Sequence, residues 1–109
     1  MTAAHLTVEE KRTATSAVLV LAGEIDLATA ADLRAAASRI LEQPPARILL
    51  DFSGVTFCDS QGLSLLISLN REVAAAGSEL VLTNVGDFMA RLLEITGLQS
   101  TFTIGHADS

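Results

Sequence analysis

The chain has 109 residues, the size of one domain, and half of them are hydrophobic, enough to bury a core. Its formal net charge of −6 argues against nucleic acid or an anionic membrane as the main partner, because both call for basic patches. The one cysteine, Cys58, excludes an internal disulfide, and without Trp or Tyr the core must be Leu, Val, Ile and Ala.

The opening MTAAHLTVEEKR lacks the basic start and apolar run of a signal peptide, and no apolar stretch reaches the length of a membrane span. The expected location is therefore the cytoplasm. A weak strand is expected over 5–11, a turn over 13–15 and a buried Val/Leu-rich strand over 16–22, closed by Gly23. Leu27, Leu33, Ala36, Ala37, Ile40 and Leu41 then recur at helical spacing, with Thr29 as N-cap and Asp32 three residues later. Pro44 and Pro45 stop that helix, since proline has no N–H and restricts the residue before it.

Residues 47–52 (RILLDF) read as the next buried strand, followed by a loop that ends in Asp59-Ser60. A second helix is expected over 60–76, ended by Gly77, then a strand over 79–83. A third helix follows over 87–96 with Gly97 at its C′ position, and an edge strand over 101–104. Residues 105–109 read as a flexible tail. Strands alternating with helices after an opening hairpin predict an α/β layered fold with parallel crossovers.

Enzyme chemistry finds little support. Cys58-Asp59-Ser60-Gln61-Gly62 has the outline of the GxSxG elbow of hydrolases, but Cys58 stands where the first glycine belongs. The only later histidine, His106, falls in the expected tail, so no Ser-His-acid triad is predicted. His5 and His106 lack zinc-ligand spacing, and Asp51, Ser53 and Asp59 do not make a calcium loop. Gly23, Gly54 and Gly62 form no phosphate-binding loop. Neither catalysis nor a cofactor or metal is expected.

Ser60 remains, at the start of a helix. It is either an N-cap or a serine whose phosphorylation switches a binding surface. Gly62 in the first turn costs helix stability, which makes sense where something approaches the backbone closely. Leu63, Leu66, Ile67, Val73 and Ala74 are expected on the core face of this helix. Leu65 and Leu69 on the flank either extend the core or leave an apolar patch beside Ser60. A phosphate suits a helix N-terminus, where the dipole and free N–H groups favour an anion. The same phosphate facing an apolar or acidic partner must be desolvated, and a penalty of ~3 kcal/mol weakens binding more than a hundredfold.

Four segments in order carry a resemblance. Gly23-Glu24-Ile25-Asp26, then 50–55 (LDFSGV), then Asp59-Ser60-Gln61-Gly62-Leu63, then 91–98 (RLLEITGL) are similar to the anti-sigma factor antagonists of the STAS domain family. The resemblance spans about 6–104, one domain. It implies a mixed sheet of four to five strands with about three to four helices packed against it. It also implies a partner, an anti-sigma factor that is an ATP-binding serine kinase. The dephosphorylated chain would bind this partner and release a sigma factor. Phosphorylation at Ser60 would end the complex, and a phosphatase of the PP2C type would reset it. Asp59 matches the acidic residue before the acceptor. Asp26 matches an aspartate expected near it, with a cap or turn role as the alternative. Gly62 and Leu63 match the helix start, and Gln61 departs from the Ser or Thr that many members carry there. The expected partner-binding set is Asp26, Asp59, Ser60, Gln61, Gly62, Leu63, Ser64 and Leu65. The alternative within the family is a STAS scaffold subunit of a transport or stress-sensing complex, never phosphorylated. A monomer is the default, with a dimer through an edge strand or the Leu65/Leu69 flank as the other option.

Overall fold

A computed structural model describes residues 5–105. The elements are β1 (Leu6–Arg12), β2 (Ser16–Ile25), α1 (Ala30–Leu41), β3 (Arg47–Cys58), α2 (Ser60–Ala75), β4 (Glu79–Thr83), α3 (Asp87–Ile95) and β5 (Thr103–Gly105). The five strands form one sheet in chain order. β1 is antiparallel to β2, and the remaining pairs are parallel. This is the expected mixed sheet, with five strands and three helices.

Each parallel pair needs a crossover, and crossovers of one hand stepping in one direction put their helices on one face. Strand alternation matches this arrangement. Ala17, Leu19 and Leu21 of β2, Ile48, Leu50 and Phe52 of β3, and Leu80 and Leu82 of β4 belong to one buried cluster. Leu33, Ala36, Ala37 and Ile40 of α1, Leu66, Leu69 and Val73 of α2, and Met89 and Leu93 of α3 complete it. The opposite face carries Val18, Leu49 and Val81 in one register row. Both α2 and α3 end at a glycine with positive φ, Gly77 (83°) and Gly97 (75°). There Ser78 N–H bonds the Val73 carbonyl and Leu98 N–H that of Leu93, the long bond of a Schellman cap.

Two strands run further than the pattern of residues predicts. β2 continues through Gly23 to Ile25, and β3 continues from Phe52 to Cys58. Gly23 does not close its strand. With φ of 114° it sits at a register shift between β2 and β3, where a bulge is needed. Gly54 lies against Ala22 so closely that a Cβ there would come within 2.7 Å of the Ala22 Cβ. Beyond Asp51, β3 pairs with β2 alone, because β4 ends opposite Asp51. The expected loop before Ser60 is thus mostly strand.

Other boundaries move less. β5 is Thr103–Gly105 rather than 101–104, so Gly105, expected in the tail, pairs with Thr83. Residues 106–109 of that tail, His106 included, lie outside the described residues. Leu27, read as part of the apolar run at helical spacing, lies in the turn before α1 and is 74% exposed. Ala74, expected in the core, is exposed, and Ile67 is half-buried. Opposite the last residue of β4, the Asp51 carboxylate accepts from Ser53 N–H (2.9 Å) and Asn84 Nδ2 (3.0 Å). Burial pushes the Asp51 pKa up, but these hydrogen bonds and Lys11 outweigh it, so the carboxyl titrates below its ordinary value.

Candidate functional site

The loops that follow β2, β3 and β4 lie side by side at the C-terminal edge of the sheet, in the order of their strands. Ser60 stands in the middle one. β3 ends at Cys58, Asp59 turns the chain, and α2 begins at Ser60. Asp59 is the N-cap. Its backbone is extended (φ −101°, ψ −172°), and Oδ1 accepts the Gly62 N–H at 2.9 Å. Its carbonyl accepts Leu63 N–H at 3.0 Å. Ser60 therefore does not cap its helix. It occupies the first helical position with an exposed side chain whose hydroxyl has no hydrogen-bond partner among the described residues. Replacing Asp59 with Ala should destabilise the domain by about 1 kcal/mol, read as a shift in the urea midpoint.

The cap is tied to the neighbouring strand. Asp59 N–H donates to the Ile25 carbonyl (3.2 Å), so the ends of β2 and β3 are locked together. Gly62 packs on this junction: a Cβ there would lie 2.5 Å from the Ile25 oxygen and 2.8 Å from Cys58 Sγ. This is the close approach that the first-turn glycine implied.

Asp26 follows Ile25 directly and has a turn role. Its Oδ1 accepts the N–H groups of Ala28 (2.9 Å) and Thr29 (3.1 Å). Thr29 stands at the N-cap position of α1 but makes no cap bond with its side chain. Its buried hydroxyl instead donates to the Glu24 carbonyl (2.7 Å) and accepts Asp26 N–H (3.0 Å). The two side chains close the β2–α1 turn on itself.

Of the expected partner-binding residues, Ser60, Gln61 and Ser64 are exposed, and Asp26 and Asp59 are half-buried. Gly62, Leu63 and Leu65 are buried. Leu65 and Leu69 join the core cluster, so these flank leucines extend the core and leave no apolar patch on α2. The exposed apolar residues at this edge are others: Leu27 after β2, Phe57 near the end of β3 and Phe88 at the start of α3. The two phenyl rings stack with centroids 6.4 Å apart.

Cys58 is buried beneath the cap. Burial, with the Asp59 charge adding to it, pushes the thiol pKa up to about 12. An Ellman assay at pH 8 should find no reactive thiol in the folded protein and one in urea. Because the folded pKa lies above the ordinary value of 9.0, the stability this thiol contributes is complete below pH 9 and is lost as pH rises toward 12.

Comparison with known proteins agrees with this architecture. A family model described as "Mlab, STAS domain" matches residues 8–104. RsfB, the anti-sigma-F factor antagonist of Mycobacterium tuberculosis, is 33% identical over 88 residues, covering 81% of this chain and 71% of RsfB. The chain belongs to the STAS domain family of anti-sigma factor antagonists. Among solved structures, an anti-sigma factor antagonist from Mycobacterium paratuberculosis superposes with a TM-score of 0.81 at 26% identity, over 92% of this STAS domain and 85% of that chain. The Bacillus antagonist SpoIIAA shares the fold in its unphosphorylated form (TM-score 0.77, 23% identity, 94% and 90% covered). It shares it in its phosphorylated form too (TM-score 0.71, 24% identity, 94% of each chain). Within the described residues of this STAS domain, no helix is long and apolar enough to cross a membrane.

Proposed function

We propose that this chain is an anti-sigma factor antagonist of the cytoplasm, switched by phosphorylation at Ser60. The observation that carries the reading is the division of labour between Asp59 and Ser60. Asp59 caps the helix, so the Ser60 hydroxyl is exposed, without a hydrogen-bond partner among the described residues, and open to chemistry. The named relatives are anti-sigma factor antagonists, and the fold is known with and without phosphate in SpoIIAA.

In this reading the dephosphorylated domain binds an anti-sigma factor that is also a serine kinase, and the sigma factor is released. The kinase transfers the γ-phosphoryl group of ATP to Ser60 Oγ, the hydroxyl proton is lost, and ADP leaves. A PP2C-type phosphatase hydrolyses the ester and restores the binding form. The domain is substrate and binding module in this cycle, not catalyst.

The test is to incubate the purified protein with the anti-sigma kinases of its own genome and Mg-ATP, then read intact mass and modification site. One phosphate on the wild type and none on Ser60→Ala is the expected result. Tight binding without modification would make the chain an unregulated antagonist. Neither binding nor modification would favour a scaffold subunit instead.

A further inference from the structure

Five large apolar side chains are exposed among the described residues: Leu27, Phe57, Phe88, Ile95 and Ile104. Three of them stand at the C-terminal edge of the sheet. Leu27 follows β2, Phe57 is the penultimate residue of β3, and Phe88 opens α3 after β4. Since β2, β3 and β4 are adjacent and parallel, the loop bearing Ser60 lies between Leu27 on one side and Phe88 on the other. Each apolar group stands on a fixed support. Leu27 sits in the turn that Asp26 and Thr29 close with four hydrogen bonds to backbone groups. Phe88 is stacked on Phe57. An apolar side chain on a fixed backbone loses less entropy on binding than one on a mobile loop, which makes it a good anchor.

The loops that carry these anchors are acidic, and the first cation beyond them is Arg91, one turn past Phe88 on α3. Residues 24–30, 56–64 and 84–90 include Glu24, Asp26, Asp59 and Asp87, and no Lys, Arg or His. A partner surface that fits this edge offers apolar pockets and sets no acidic groups against these carboxylates.

We infer that the anti-sigma factor grips this chain at two apolar anchors, Leu27 and the Phe57–Phe88 pair, which straddle Ser60. The inference rests on the function proposed above and names the contacts that the sequence resemblance does not supply. It also places the phosphate between two contacts that must be dry in the complex, where an added dianion has least access to water.

The test is a titration of the same panel of anti-sigma factors by calorimetry, using wild type, Leu27→Ala, Phe88→Ala and Ile95→Ala. Ile95 is the internal control. It is 72% exposed, and it ends α3, about 10 Å along the helix from Phe88 at 1.5 Å per residue. Thermal melts of the four proteins confirm that each is folded. The expected result is a loss of about tenfold or more in affinity for Leu27→Ala and for Phe88→Ala, with no change for Ile95→Ala. If the wild type binds and both edge variants bind equally well, the function stands and the two-anchor surface is overturned. If the wild type binds no member of the panel, the function reading fails and this inference falls with it.

Discussion

Phosphate on Ser60 should lower affinity for the anti-sigma factor by a factor of about a hundred or more, with the thermal midpoint nearly unchanged. The two halves of this expectation have separate causes. In the free protein the ester sits at the first position of a 16-residue helix, exposed to water. The helix dipole and the unbonded amides of the first turn favour a negative charge there. Asp59 already holds the Gly62 amide, so the phosphate displaces nothing the fold depends on. In the proposed complex the same group must shed water beside the Asp59 carboxylate, against a partner that the bare hydroxyl accommodates. Calorimetry on protein phosphorylated by the kinase, beside an unmodified sample, measures the first half. Thermal melts of the same pair measure the second. Equal affinities would sink the switch, whereas a large fall in midpoint would mean that the phosphate acts by disrupting the domain. Ser60→Ala should bind like the wild type and resist inactivation by ATP.

The second large effect is on the fold. Gly62→Ala should cost about 1–3 kcal/mol of stability, despite the roughly 1 kcal/mol by which Ala is favoured over Gly inside a helix. The added Cβ would meet the Ile25 oxygen at 2.5 Å. That oxygen cannot retreat freely, because it accepts the Asp59 N–H that joins β2 to the cap. The helix start must shift instead, and Ser60 with it. Urea titration of Gly62→Ala gives the stability change. The double variant Cys58→Ala/Gly62→Ala relieves only the 2.8 Å contact with the thiol and should recover only part of the loss. A wild-type midpoint in Gly62→Ala would show that the junction has slack. A slower phosphorylation rate in the folded variant would tie this packing to the switch.

Element order was legible because the buried strands are runs of Leu, Ile and Val, and because Gly77 and Gly97 mark helix ends by chemistry that tertiary context did not override. The extensions of β2 and β3 were not legible. They depend on a bulge at Gly23 and a close approach at Gly54, and a glycine in sequence reads equally well as a strand end. Ser60 was legible as a candidate, but its freedom from capping was not, since Asp59 and Ser60 are both good caps and only geometry chooses between them. Leu27 was misplaced for a related reason. It reads with the helical run that follows, although it stands six residues from Leu33, and Asp26 and Thr29 on either side bond the local backbone and hold it in a turn. The pattern Asp-x-x-Thr was the available signal. The flank leucines of α2 could not be assigned from periodicity, because a helix lying against both sheet and neighbouring helix buries more than one stripe.

The one-sided pairing of β3 beyond Asp51 makes stability uneven along a single strand. Residues 47–51 are held from both sides, whereas the stretch leading to Ser60 is held by β2 alone. Amide hydrogen exchange should therefore be slowest in the first half and faster toward Cys58, as in any segment that opens below the free energy of global unfolding. In the proposed cycle, a kinase that draws Ser60 into its cleft would pull on the looser half. The resistance it meets comes from one strand pair, the phenyl stack and the buried Cys58.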